Sequence, residues 1–255
     1  MQMENICALV TGGASGLGEA AARRILDRGG RVCIVDMDEE NGTNIQKELG
    51  SSSLFVKADI TDARQASDAV NLAFEKLGFI NVCINCAGIA AAQKVLGKKG
   101  VHELDLFSKV ISVNLTGTFN MIRLAAEKMK DNEPNEQGER GVIISTSSVA
   151  AFEGQIGQAA YSASKGGVAS MTLPIARELA EYGVRVMAIA PGLFHTPMFD
   201  SLPVEAKSAL GNTVPFPRRL GFPEEFAMLV QSIIENPMLN GETIRLDGAI
   251  RMQPK

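Results

Sequence analysis

Tyr161 and Lys165 stand four residues apart in Tyr161-Ser162-Ala163-Ser164-Lys165, and Ser148 lies thirteen residues before the tyrosine. Positions four apart share one face of a helix, which sets an ammonium at Lys165 one turn from a phenol at Tyr161. A free phenol titrates near pKa ~10 and is a poor base at neutral pH, but a fixed cation beside it favours the phenolate. A nearby serine hydroxyl can hold a substrate oxygen. These are the parts needed at a secondary alcohol, where hydride leaves carbon only if the hydroxyl proton is taken at nearly the same time. Taken alone, Tyr-x-x-x-Lys describes two surface residues of an ordinary helix equally well. The elements that would position it have to decide.

The first of these elements is Thr11-Gly12-Gly13-Ala14-Ser15-Gly16-Leu17-Gly18, which follows directly on the apolar run Ile6-Cys7-Ala8-Leu9-Val10. Strand, glycine turn and helix follow one another, because Leu17, Ala21 and Ile25 recur at helical spacing until Gly29-Gly30. Such a turn lets the backbone approach a pyrophosphate, whose charge is met by amides at the helix N-terminus. A second run, Val32 to Val35, ends in Asp36, twenty residues after Gly16. A carboxylate there accepts hydrogen bonds from the adenosine 2′ and 3′ hydroxyls and repels a 2′-phosphate. Neither Met37 nor Ser15 is the arginine or lysine that a phosphate would want, so NAD is favoured over NADP. The alternative is a solvated strand-end aspartate, which leaves the spacing unexplained.

The chain has 255 residues, is 45% hydrophobic, carries a net charge of −4 and contains 25 glycines, a composition that suits an enzyme and supplies no basic surface for nucleic acid. Further apolar runs at Leu54 to Val56, Val82 to Ile84, Val142 to Ile144, Val184 to Ile189 and Thr243 to Leu246 alternate with helical patterns. The expected fold is α/β: one Rossmann-type, doubly wound parallel sheet of about seven strands in a single domain over 1–255. No signal peptide, transit peptide or membrane-spanning run is visible, so the cytoplasm is the default expectation. Cys7, Cys33, Cys83 and Cys86 fall in or beside the strands and read as small buried hydrophobes. Cys83-x-x-Cys86 would need two further ligands to hold zinc, and His102 and His195 have no paired spacing, so no metal is expected.

Thr11-Gly12-x-x-x-Gly16-x-Gly18, Asn85-Cys86-Ala87-Gly88, Asn114, Ser148, Tyr161, Lys165 and Pro191-Gly192 together resemble the short-chain dehydrogenase/reductase family, almost end to end. The resemblance implies that Tyr161 is the general base, that Ser148 holds the substrate oxygen, and that Lys165 lowers the Tyr161 pKa and binds the nicotinamide ribose. It also implies that Asn114, on the long helix after Asp105, links Lys165 to solvent through a proton relay; its bland alternative is a helix-interior asparagine satisfied by backbone. Carried onto matching positions, the cofactor contacts are Gly12, Ser15, Gly16, Leu17 and Gly18 in the turn, Asp36 at the ribose, and Asp59 and Ile60 beside adenine. Cys86, Ala87 and Gly88 follow the fourth strand, and Pro191, Phe194 and Thr196 lie beside the nicotinamide. Phe194 and Ile60 could equally be core, and Asp59 could cap the next helix, a role open also to Thr61 or Asp62. The family's usual Asn-Asn-Ala-Gly here carries Cys86 at its second position.

Two stretches, Val149 to Gln155 and Leu246 to Pro254, resemble the branch of the family that oxidises short or branched 3-hydroxyacyl-CoA thioesters and hydroxysteroids, some members of which are mitochondrial. That resemblance implies an acyl-CoA substrate and a homotetramer with dihedral symmetry. Alternatives are a 3-oxoacyl-carrier-protein reductase, a steroid or sugar alcohol dehydrogenase, and a non-catalytic scaffold in an RNA-processing assembly. Leu193 to Leu220, rich in Phe, Leu, Met and Pro, is expected to form a lid over an apolar cleft, with Gln155 and Gln158 as polar edges for substrate. Lys94, Lys98 and Lys99, after the fourth strand, are expected to rim the cleft and to attract the phosphates of coenzyme A.

Overall fold

Short apolar runs closed by glycine or polar turns become strands in the computed structural model, which describes residues 1–98, 100–197 and 203–254. The strands are β1 (Cys7–Thr11), β2 (Arg31–Asp36), β3 (Ser53–Lys57), β4 (Val82–Asn85), the two-residue pair β5 (Leu96–Gly97) and β6 (Gly100–Val101), then β7 (Gly141–Thr146), β8 (Val184–Pro191) and β9 (Thr243–Leu246). Between them run α1 (Gly16–Asp27), α2 (Glu39–Leu49), α3 (Ala63–Leu77), α4 (Leu104–Ile111), α5 (Thr118–Met129), α6 (Ala159–Leu179), α7 (Val204–Gly211) and α8 (Pro223–Glu235). Seven strands form one parallel sheet in the order β3-β2-β1-β4-β7-β8-β9, as the alternating runs predict.

Side chains of a strand alternate between faces, and the core divides accordingly. Ala8 and Val10 of β1, with Val32, Ile34, Val82, Ile84, Val142 and Ile144, pack with Ile25 of α1 and Phe226 and Val230 of α8. Cys7 and Leu9, with Cys33, Val35, Cys83 and Ile143, face α3 and α5 through Ala66, Val70, Met121 and Ala125. Helices on both sides explain why the strands read as continuous apolar runs and not as alternating ones. The chain winds outward from β1 to β3, then crosses back to start β4 on the other side of β1. That reversal leaves a crevice at the carboxyl ends of the strands.

Two features depart from the sequence reading. The long helix expected after Asp105 is interrupted by a π-helical segment, Ser112–Gly117, which joins α4 to α5 and contains Asn114. The lysine-rich stretch after β4 forms the antiparallel β5–β6 hairpin, outside the main sheet. Lys94 and Lys98 are exposed there, while Lys99, like residues 198–202 of the expected lid, lies outside the described residues.

Candidate active site

A cleft of about 840 Å³ opens at the carboxyl ends of β1, β2, β4, β7 and β8. Every residue assigned from sequence to catalysis, cofactor or substrate lines it, except Asn114. At one end the glycine turn folds onto itself: a side chain at Gly18 would run into the Gly12 carbonyl, so the turn closes only with glycine. Ser15 precedes α1 in an extended conformation and makes no capping hydrogen bond, which leaves its hydroxyl to the cleft. Asp36 closes this end. One carboxylate oxygen accepts from the Ala14 amide at 3.1 Å and the other from the Asp38 amide at 3.1 Å, which ties the end of β2 to the glycine turn.

At the inner wall, Ser148 follows β7 and Tyr161 and Lys165 lie on α6. Tyr161 and Ser148 face the same cleft, and the Ser148 hydroxyl accepts from the Ala150 amide at 3.1 Å. Lys165 Nζ donates to the Thr146 carbonyl at 2.6 Å and stands 6.0 Å from the centre of the Tyr161 ring. Burial pushes the phenol above its ordinary value, with the Ser148 hydroxyl pulling the other way. Burial also pushes the Lys165 ammonium down to about 8. In this arrangement the ammonium is turned to a carbonyl, and desolvation dominates both groups.

Asn114 is satisfied largely by backbone, as its bland alternative has it, but by the backbone of a distant loop and not of its own helix. Its amide oxygen accepts from the Ile89 amide at 2.8 Å, and its nitrogen donates to the Ile89 carbonyl at 2.9 Å and to Ser164 Oγ at 3.0 Å. It clamps the loop after β4 onto α6 and makes no direct bond to Lys165. The π-helical segment turns the side chain inward toward that loop, a use such bulges often have near functional sites. Gly88 lies between: a Cβ there would stand 3.2 Å from Asn114 Oδ1 and 3.5 Å from Lys165 Nζ. The bare backbone at Gly88, the turn at Gly16 and the carboxylate of Asp36 fit a dinucleotide lying along the strand ends.

Asp59 does not cap α3. Asp62 does, accepting from the Arg64 and Gln65 amides, while Asp59 accepts from the amide and hydroxyl of Thr61. Ile60 and Phe194 are both core and cleft wall, at 5% and 6% exposure. The segment after β8 crosses the cleft, so that Thr196 Cγ2 would stand 3.5 Å from a Cβ on Gly16. Gln155 and Gln158 line the cleft, yet each has a structural partner: the Gln158 side-chain oxygen accepts from the Gln155 amide at 2.9 Å, and the Gln155 side chain donates to the Gln253 carbonyl at 3.0 Å. They are polar edges with part of their capacity already committed. Met252 and the Thr146 carbonyl were missed from sequence, the first for want of periodicity in the tail and the second because a carbonyl carries no residue signal. Cys83 faces the core and Cys86 the cleft, so the pair spans two environments, and all four cysteines are free thiols.

Comparison with known proteins agrees with this geometry. The family described as short chain dehydrogenase matches residues 6–206. A 3-hydroxyacyl-CoA dehydrogenase type-2 from Bos taurus is 56% identical over 254 residues, 99% of this chain and 97% of the relative. The crystal structure of a 3-hydroxyacyl-CoA dehydrogenase type-2 from Mycobacterium avium superposes with a TM-score of 0.94 at 40% identity, covering 100% of this chain and 99% of that one. A 3-ketoacyl-(acyl-carrier-protein) reductase from Brucella melitensis, complexed with NADH, superposes with a TM-score of 0.87 at 28% identity over 98% of this chain and 100% of the other. With fold, cleft and family match in agreement, the chain belongs to the short-chain dehydrogenases and is an oxidoreductase of that family.

Proposed function

We propose that the chain oxidises the 3-hydroxyl of a short or branched 3-hydroxyacyl-CoA thioester to the 3-oxo compound with NAD, and catalyses the reverse reduction at the same site. The observation that carries this reading is the convergence of Ser148, Tyr161 and Lys165 on the inner wall of a cleft whose far end is closed by Asp36. The names of the relatives at 56% and 40% identity support the acyl-CoA substrate. When bound, the nicotinamide supplies the hydride acceptor. The Ser148 hydroxyl donates to the substrate oxygen, and Tyr161 as phenolate takes the hydroxyl proton while C3 loses its hydrogen with the electron pair. In reduction the phenol returns that proton to the oxyanion forming at C3. Lys165 opposes the charge on the phenolate and meets the nicotinamide ribose, and Asn114 holds the loop that shapes the pocket around both. Asp36 accepts from the adenosine ribose and disfavours a 2′-phosphate.

A turnover panel tests the reading: 3-hydroxyacyl-CoA, 3-hydroxyacyl-carrier-protein, hydroxysteroid and sugar alcohol, each with NAD and NADP. The highest kcat/KM is expected for a 3-hydroxyacyl-CoA with NAD, and a clear preference for any other pair would reject it. We also propose a homotetramer, supported by the exposed apolar side chains of Phe119 on α5 and Leu173 on α6 and measurable by sedimentation. Met171 and Leu179, on the same helix as Leu173, pack partly buried against the core.

A further inference from the structure

The substrate end of the cleft is closed by the segment that follows β9. Met252 lines the cleft beside Leu210. Both pack against a small apolar cluster of Leu193, Val214, Leu220 and Ile250, separate from the two cores that flank the sheet. Residues 251–254 are in neither helix nor strand, so the position of Met252 depends on what the tail is bonded to. The partners lie in the loop that leads into α6. The Glu153 carboxylate accepts from the Met252 amide at 3.2 Å and pairs with Arg245 at 2.9 Å and Arg251 at 3.2 Å. The Gln155 side chain donates to the Gln253 carbonyl, and the Ile156 amide donates to the Pro254 carbonyl at 3.0 Å. From the other side Arg245 pairs with Asp247 at 2.7 Å and donates to the Ile250 carbonyl at 3.1 Å. The same loop enters the helix that carries Tyr161. The wall made by Met252 and the reacting phenol therefore share one support, and a displacement of the tail changes the space beside the reacting carbon.

We infer that segment 250–254 is a specificity-determining wall, in which Met252 limits the size of the group attached to the reacting carbon and Glu153 is the positioning residue that seats it. The inference rests on the acyl-CoA reading only for the identity of the substrate series. A thioether side chain has three rotatable bonds and polarizable sulfur, so it closes on small groups and yields to a branch, at a cost that rises with size. An apolar pocket separates substrates differing by one methylene by roughly 10- to 200-fold, which sets the scale of the effect.

Steady-state kinetics on 3-hydroxyacyl-CoA thioesters of increasing length and branching test it. Met252→Ala is expected to raise kcat/KM for the largest acyl group relative to the smallest by about 10-fold, and Met252→Phe to shift the ratio the other way. Glu153→Ala should move the profile in the direction of Met252→Ala and raise KM by about 5-fold while kcat on the smallest substrate moves little. Glu153→Gln keeps an oxygen for the Met252 amide and should fall between. A loss of kcat in Glu153→Ala that is equal at every chain length would mark a merely structural role and would overturn its assignment. If the unsubstituted protein turns over no acyl-CoA, the substrate reading fails, and the wall is tested on 2-alkanols of increasing length with the same rank order expected. A size profile that stays the same in both Met252 variants, on whichever series the unsubstituted protein accepts, overturns the inference.

Discussion

At the cofactor end of the cleft the walls are backbone leaving the carboxyl edge of a parallel sheet: the turn after β1, Asp36 at the end of β2, Gly88 after β4 and Pro191 at the end of β8. At the substrate end they are side chains from segments far apart in the chain, Leu193, Leu210 and Met252, stitched together by an apolar cluster and by ion pairs around Glu153. The first kind of wall is fixed wherever the sheet is fixed, since ladder hydrogen bonds and core packing set it. The second can be altered one side chain at a time. A scaffold of this sort keeps one redox chemistry while the group it accepts is free to change.

The sharpest way to break the comparison is to remove the reacting proton while leaving both ends standing. Tyr161→Phe should lower turnover by about 10²- to 10⁴-fold with folding and NAD affinity largely retained, as read by stopped assays, circular dichroism and fluorescence titration. Near wild-type kcat in this variant would sink the mechanism.

Lys165 offers a test of stability against function. Its ammonium is held down to about 8 in the folded chain by burial, against an ordinary value of 10.5. The folded state therefore binds fewer protons than the unfolded one between those two pH values, so this group's contribution to stability rises with pH across that window, and the penalty is full below it. Lys165→Met should remove turnover and yet raise the unfolding free energy at pH 7 by about 1–3 kcal/mol. Denaturant titrations should show the advantage of the variant shrinking between pH 8 and 10.5, and a constant difference at all pH values would show that the ammonium is not strained where it sits.

Asp36 tests the backbone-built end. Asp36→Asn keeps an oxygen for the Ala14 amide but removes the charge that repels a 2′-phosphate, and should narrow the preference for NAD over NADP by about 10-fold. Asp36→Ala also releases the glycine turn and should weaken both cofactors. Equal affinities for NAD and NADP in the unsubstituted protein would show that the carboxylate does not meet the ribose.

The smallest effect is expected at the rim. Gln93, which precedes the β5–β6 hairpin, donates its amide to the Gly157 carbonyl, next to the cleft-lining Gln155 and Gln158, and Lys94 and Lys98 are exposed on the stretch that follows. Replacing Lys94, Lys98 and Lys99 together with glutamine should raise KM for an acyl-CoA by about 2- to 5-fold at low salt and less at physiological salt, leaving a phosphate-free alcohol unaffected. An equal effect on both substrates would remove coenzyme A from the role of this hairpin.

How far the sequence could be read differs between the two ends for the same reason. The strand Thr243 to Leu246 has the bounds its apolar run suggests, and the strand, turn and helix around Gly16 stand where their spacing puts them. These are patterns with short periods, carried by neighbouring residues. Asn114 was singled out, but its part as a clamp on Ile89 depends on a π-helical segment and a loop twenty-five residues away. Glu153 and Met252 are ninety-nine residues apart, and although both fall in the two stretches that carry the resemblance to one branch of the family, no local pattern marks them as partners.

From the sequence alone came the sheet and its seven strands, the glycine turn, the acidic residue at the end of β2, and the Ser148, Tyr161 and Lys165 trio, because periodicity, turn chemistry and helical spacing are local properties of a chain. Only the tertiary structure decided the rest. It turned Lys165 toward the Thr146 carbonyl, tied Gln155 and Gln158 to protein partners, and made Met252 a wall of the cleft. Those outcomes depend on desolvation and on contacts between distant segments. Both are set by where the fold brings side chains together and by how much water it removes from around them.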